Sequence, residues 1–316
     1  MLDVESTPSV EQVLTQLRTK LNGVLLGKED RIELVLACLI SGGHLLLDDL
    51  PGLGKTTLAK AIASSFGARF ARVQCTPDLL PTDIIGFQLF NQKVREFEFH
   101  PGPVFSDILL ADELNRTTPR TQSALFEAMA ERQVTVDGKS SKLSSTFFVI
   151  ATQNPIDSHG AYPLPEAQLD RFSMKLEIGY PSTESQLAIL SQDRSGVEPS
   201  EADEKANELP LDALADLQQK ASALHIDEAV QRYIIALCEA TRSHESVALG
   251  VSPRGMLIWQ QVSKSWALLQ GRDFVTPADV QAVAHPVLGV RLVARQFDPE
   301  TLINSLLENV EVPTYQ

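Results

Sequence analysis

The chain has 316 residues, 43% of them hydrophobic and 22% charged, and a formal net charge of −14. That length has room for two domains, and the composition is that of a globular protein, not of a disordered or fibrous one. The acidic balance argues against a dedicated nucleic-acid binder, which needs Lys and Arg in surplus, and no apolar run approaches the ~20 residues of a membrane span. The first residues are acidic and polar (Asp3, Glu5, Ser6), so no signal peptide is expected. Three cysteines, Cys38, Cys75 and Cys238, are far apart and odd in number. They read as buried free thiols, and the chain as cytoplasmic or as the cytosolic partner of something at a membrane.

Helical periodicity opens the chain at Ser9–Leu21 and Asp30–Ser41. The stretch His44-Leu-Leu-Leu-Asp-Asp-Leu-Pro-Gly-Leu-Gly-Lys-Thr-Thr57 then reads as a buried strand, a glycine-containing turn and a helix start. Such a loop points backbone N–H groups at a phosphate, and the helix dipole favours the anion. Lys55 would reach the β- and γ-phosphates of a nucleotide, and the Thr56 hydroxyl would ligate Mg²⁺. Asp49 stands where the phosphate-loop pattern has a glycine. A Gly-Lys-Thr alone is also a plain helix start after a turn; the apolar run before it and the helix-forming Leu58–Ala63 after it supply the context.

Further apolar strands are expected at Arg69–Gln74, Ile108–Ala111 and Phe147–Thr152, with helices at Thr56–Phe66 and Pro119–Glu131. That alternation calls for an α/β fold with a parallel sheet covered on both faces. Two segments interrupt it. Residues 76–107 contain Ile84–Phe90 and the alternating Arg95-Glu-Phe-Glu-Phe-His100, as in a two-stranded ribbon. Gln133-Val-Thr-Val-Asp-Gly-Lys139 places Asp-Gly after an alternating strand, a strong hairpin signal.

Ile108-Leu-Leu-Ala-Asp-Glu113 ends an apolar strand in two carboxylates. At the edge carrying the phosphate loop, Asp112 would hold Mg²⁺ and Glu113 would polarise the attacking water. Asn154, at the end of the next strand, would fix that water, or else simply end the strand in a turn before Pro155. Arg171 in Leu-Asp-Arg-Phe172 would stabilise the charge of phosphoryl transfer from a neighbouring subunit; a surface pair with Asp170 is the plainer reading. From Ser182 onward the strand signal vanishes. Helices are expected at Thr183–Gln192, Leu211–Ala223, Asp227–Arg242, Pro253–Leu269 and Pro277–Ala284, with Ser252 and Thr276 as N-caps before Pro253 and Pro277. Arg254 falls in the first turn of one of them, within reach of nucleotide or merely solvated. The acidic Glu198–Asp216 reads as a solvated connection and helix start. The domain boundary is placed near Gly179–Ser182, dividing the chain into 1–181 and 182–316.

This order of motifs resembles the AAA+ ATPases. Gly42-Gly-His-Leu-Leu-Leu47, Asp112-Glu-Leu-Asn-Arg116, Gln122-Ser-Ala-Leu-Phe-Glu-Ala-Met129 and Leu164–Phe172 narrow the resemblance to the MoxR family, from about Val24 to near the C-terminus. The resemblance implies a P-loop core with a helix 2 insert (76–103) and a hairpin before sensor 1, followed by an all-α lid. It makes Pro51, Gly52, Leu53, Gly54, Lys55, Thr56 and Thr57 the Walker A loop and Asp112 and Glu113 the Walker B pair. Asn154 becomes sensor 1, Arg171 an arginine finger and Arg254 sensor 2, while Leu26 and Gly27 contact the adenine. It further implies ring oligomers, usually hexamers, that mature or activate protein complexes, often with a von Willebrand factor A domain partner. The ATPase subunit of a metal chelatase, a DNA-translocating helicase and a nucleotide-gated scaffold with little turnover are the rival readings.

Overall fold

Alternating side chains along the strands divide the apolar residues between two cores. In the computed structural model, which describes residues 9–154, 162–191, 208–295 and 298–313, the strands are β1 (Leu45–Asp48), β2 (Phe70–Gln74), β3 (Gly86–Asn91), β4 (Glu96–Pro101), β5 (Ile108–Asp112), β6 (Gln133–Val136), β7 (Lys139–Lys142), β8 (Phe148–Gln153) and β9 (Met174–Leu176). Five of them form a parallel sheet in the order β2–β5–β8–β1–β9. Leu45, Leu47, Ile108, Leu110, Phe148 and Ile150 enter a core shared with helices Val10–Val24, Glu29–Ile40 and Lys55–Ser65. Leu46, Leu109, Ala111, Val149 and Ala151 enter a second core with helix Pro119–Glu131. The two-residue period of a strand makes that division, and each fully buried leucine contributes roughly 1.5–3 kcal/mol.

The edge strand β9 was not expected from the sequence. Met174-Lys175-Leu176 is too short and is broken by Lys175, which faces Asp48 at 3.5 Å. The two expected hairpins are present. β3 and β4 pair from Gly86↔Pro101 to Asn91↔Glu96, after a helical turn at Pro81–Ile85. β6 and β7 meet at Asp137 and Gly138, both left-handed (φ 48° and 77°), as an Asp-Gly two-residue turn requires.

Beyond the sheet the chain is mainly helical. Helix Pro253–Leu269 packs on Glu29–Ile40 and Leu211–Ala223 and buries Trp259, whose Nε1 donates to Val280 O at 3.0 Å. Ser252 caps it by accepting from Gly255 N at 2.9 Å, and at the next helix the Asp279 carboxylate accepts from Thr276 N at 2.8 Å. The sequence showed no strands here, yet two short ladders occur, His225–Ile226 with Phe274–Val275 and Val247–Leu249 with Val293–Ala294. Strands of two or three residues carry no readable period. Helix Pro299–Asn309 also went unforeseen. Pro155 and residues 198–207 of the acidic segment lie outside the described residues. Among the described residues, no helix is long and apolar enough to cross a membrane.

Candidate active site

β1 delivers the chain at its C-terminal end into a turn, residues 49–54, that opens helix Lys55–Ser65. Gly52 and Gly54 are left-handed (φ 86° and 85°), and a Cβ at Gly54 would meet Leu25 Cδ2 at 2.9 Å. A side chain there would be both strained and obstructed. Lys55 is buried, and its ammonium donates to the carbonyls of Asp49 and Leu50 at 2.6 and 2.9 Å. Burial lowers its pKa, opposed by Asp49, Asp112, Glu113 and Asp48.

The structure explains the departure at Asp49. This buried carboxylate accepts from the backbone N–H of Ile178 and, at 3.2 Å, of Gly179. A glycine would leave two N–H groups without that acceptor. Asp49 therefore fastens the turn to the segment that leaves β9.

Asp112 ends β5 and Glu113 follows it; β5 lies two strands from β1, with β8 between them. Thr152 of β8 joins the pair, donating its hydroxyl to Asp112 Oδ1 at 2.7 Å and accepting from Glu113 N at 2.8 Å. Glu113 sits at φ 56°, an uncommon conformation for a non-glycine residue that turns the chain sharply out of the strand. Its carboxylate accepts from Gln74 Nε2 and from Arg116 Nη1, both at 2.9 Å. Arg72 pairs with Asp112 at 2.7 Å. Arg72, Gln74 and Thr152 were not foreseen. The available signal was alternation along Phe-Ala-Arg-Val-Gln-Cys75, which exposes Arg72 and Gln74 beside each other while Val73 and Cys75 are buried.

A cleft of about 430 Å³ gathers Asp49, Pro51, Gly52, Gly54, Lys55, Thr56, Thr57, Asp112, Glu113 and Asn154 with these three residues. Of the expected loop residues, Leu53 does not line it. Gly27 lines a separate cavity with Lys28, Glu177, Ile178 and Gly179, and Leu26 lines neither. One carboxylate and one hydroxyl suit Mg²⁺, which takes one or two protein ligands and completes its shell with phosphates and water. The half-exposed Arg72 is a weak competitor for Asp112.

Arg171 and Arg254 are elsewhere. They line a cavity of about 260 Å³ with Gly42, Gly43, His44, Arg132 and Ser173. Residues 42–44 lead into β1, and Ser173 leads into β9, its N–H donating to His44 O at 2.8 Å. The cavity thus opens at the N-terminal edge of the sheet and the cleft at the C-terminal edge. Strands of four to six residues separate them, about 13–20 Å. Arg171 lies against the Phe126 ring at 5.8 Å, and its Nε is buried without a hydrogen-bond partner among the described residues. His44 is buried and neutral: Nδ1 accepts from Val149 N at 3.1 Å, and burial lowers its pKa to about 3.

A phosphate loop, a carboxylate pair and a polar strand end on one edge of a parallel sheet, followed by a helical lid, define an AAA+ ATPase. Residues 44–174 match the family described as "ATPase family associated with various cellular activities (AAA)", and residues 239–310 match the AAA lid domain. The chain belongs to the MoxR family of these ATPases. It is 41% identical over 305 residues to Chaperone MoxR1 of Mycobacterium tuberculosis, covering 92% of this chain and 80% of that protein. It is 45% identical over 303 residues to the uncharacterised YeaC of Bacillus subtilis, covering 93% and 92%. A crystal structure of an inferred ATPase from Cytophaga hutchinsonii superposes with a TM-score of 0.86 at 33% identity, covering 96% of each chain.

Proposed function

We propose that the chain is a Mg²⁺-dependent ATP hydrolase that works as a ring, with residues 1–181 as the ATPase core and 182–316 as the lid. The observation that carries this reading is the placement of Arg171 and Arg254 on the edge of the sheet opposite the phosphate loop. An arginine side chain does not span that distance, which supports the reading that both act on a neighbour's nucleotide.

In each cleft the turn at 51–57 holds the phosphates. Lys55 exchanges its two loop carbonyls for phosphate oxygens, a stronger, charge-assisted contact. Thr56 and Asp112 would hold Mg²⁺, which would supply charge neutralisation to the phosphates when bound. Thr152 and Arg72 fix the Asp112 carboxylate, and Thr152 also fixes the Glu113 backbone. Glu113, with Asn154, orients a water whose oxygen attacks the γ-phosphorus as the bond to the β-phosphate oxygen breaks. Glu113 takes the water's proton and later releases it to solvent. Arg171 from the next subunit stabilises the charge spread over the γ-oxygens.

The work done with this cycle is proposed to be chaperone-like remodelling or maturation of a protein complex, in the cytoplasm, by a hexamer with a von Willebrand factor A domain partner. The name of the M. tuberculosis relative supports the chaperone part. The β3–β4 ribbon exposes Phe87, Leu89, Phe90 and Phe97, which suits it to contact a client. A steady-state phosphate-release assay tests the chemistry. Wild type turns over, and Glu113→Gln binds ATP but loses on the order of 10²–10⁴-fold in rate. An unchanged Glu113→Gln rate removes Glu113 from its role; no wild-type turnover favours the gated scaffold.

A further inference from the structure

Arg291 follows helix Ala284–Leu288, and its side chain is 2% exposed. Its guanidinium crosses from the lid to the core segment around Arg171. It donates to Phe172 O at 2.5 Å and to Ser173 O at 3.1 Å, besides Val287 O on its own side at 2.7 Å. Its Nε lies 3.0 Å from Asp170 Oδ1, an ion pair not aligned for a hydrogen bond. The other Asp170 oxygen accepts from Ser252 Oγ at 2.7 Å. That same hydroxyl accepts from Gly255 N and so caps the helix whose first turn carries Arg254. A Cβ on Gly255 would meet Arg291 Cδ and Nε at 2.8 Å and Val251 Cγ1 at 3.0 Å, so Arg291 runs through the space a side chain there would fill.

One carboxylate thus ties together the segments that bear two of the cavity's arginines, Arg171 and Arg254. It adjoins Arg171 in the chain, and it holds the serine two residues before Arg254. Beneath it Arg291 remains cationic at neutral pH, its pKa lowered to about 10 by burial and opposed by Asp170. A buried ion pair is a poor way to gain stability, since apolar residues of similar volume serve as well. Its geometric specificity is a better account of this one.

We propose that Asp170 and Arg291 are positioning residues that, through Ser252, lock Arg171 and Arg254 into one unit presented to a neighbouring subunit's nucleotide. This rests on the reading that those two arginines act across a subunit interface. Lid and core then deliver both charges in fixed register, and a loosened tie leaves each arginine present but misplaced.

The experiment measures kcat, the Kd of a fluorescent ATP analogue and thermal melting for Asp170→Asn, Ser252→Ala, Ser252→Thr and, as a reference, Arg171→Ala. Asp170→Asn and Ser252→Ala are expected to lower kcat by on the order of 10²-fold, the scale of a 1 Å misplacement. Their Kd stays at the wild-type value, because the cleft is on the other edge of the sheet. Ser252→Thr keeps the hydroxyl and regains most of the rate. Wild-type kcat in Asp170→Asn and Ser252→Ala, with Arg171→Ala inactive, overturns the tie and leaves the cross-subunit reading standing. Full turnover by Arg171→Ala overturns that reading, and the tie with it. Loss of Kd and melting temperature together with kcat, without rescue by Ser252→Thr, makes the contact merely structural and overturns the proposal. If Asp170→Asn does not fold, the Ser252 pair decides on the same terms.

Discussion

The phosphate-loop cleft and the arginine cavity are built in opposite ways. In the cleft, charges of both signs hold one another: Lys55 on loop carbonyls, Arg72 on Asp112, Gln74 and Arg116 on Glu113. Among the described residues, the cavity is lined by Arg132, Arg171 and Arg254 and by no carboxylate. Arg132 is spent on the carbonyls of Gly42 and Ser145. Arg254 is exposed, and Arg171 keeps a buried Nε without a hydrogen bond among the described residues. A site that satisfies itself is ready to receive a ligand. One that gathers unneutralised cations is ready to be brought to an anion. In the ring proposed above, each contact would join one chain's cleft to the next chain's cavity.

The largest effect should come from breaking that division at Arg171. Arg171→Ala is expected to lose on the order of 10³-fold or more in turnover while keeping ATP affinity. Mixed with Lys55→Ala chains, which keep the arginine but lack the loop lysine, it should regain activity that neither variant shows alone. Phosphate release as a function of mixing ratio is the measurement. Full wild-type turnover in a strictly monomeric preparation would rule out a cross-subunit role for Arg171, because the cavity would then have no partner to serve.

The two halves were not equally legible in the sequence. The loop, Asp112, Glu113 and Asn154 were readable because each ends an apolar strand at the same sheet edge, and a strand end is a local feature. Asp49 was visible as an irregularity but without a reason, since its partners Ile178 and Gly179 lie some 130 positions along the chain. Thr152 was hidden for a similar cause: a threonine in an apolar strand reads as a strand residue until β5 is placed beside it. The arginines were named, but their remoteness from the loop was not, because chain order does not say on which edge of the sheet a residue falls. The short strands of the lid left no period to read.

Within the cleft the next largest effect is expected from Thr152→Val, which keeps shape and removes the hydroxyl. Asp112 loses a donor and Glu113 N an acceptor, so kcat should fall by about 10–100-fold, as for residues that orient metal ligands. Assays across a Mg²⁺ titration should show a weaker metal dependence midpoint; an unchanged midpoint and rate would remove Thr152 from that task. Asp49→Ala comes next. Leaving the N–H groups of Ile178 and Gly179 without their buried acceptor should cost about 1–3 kcal/mol of stability. It should also loosen the loop and weaken ATP binding. Thermal melting with and without nucleotide tests both; a loss of stability without a loss of affinity would confine Asp49 to the fold.

The smallest expected effect separates the two edges by pH. His44 lines only the arginine cavity, and burial holds its pKa near 3 against about 6.5 in an unfolded chain. Because the folded value is the lower one, its contribution is fully present above about pH 6.5 and is lost as pH falls toward 3. The slope is at most ~1.4 kcal/mol per pH unit while only the unfolded chain takes up the proton. Asp107 also acts at low pH. Burial raises its carboxyl, but the hydrogen bonds from Arg69 outweigh this and hold it below the usual range, so its contribution is lost only below about pH 4. Glu184 and Asp78 are also held low by hydrogen bonds and join Asp107 at about pH 4–5, so among the described residues the window that reports His44 is about pH 6.5 to 5. Melting curves should show stability falling through that window in wild type and a flatter profile in His44→Asn, which keeps an acceptor for Val149 N–H. An equal slope in the variant would mean that a different group carries the proton. ATP affinity measured across the same window would then say whether the cleft, and not the cavity, is the edge that senses acid.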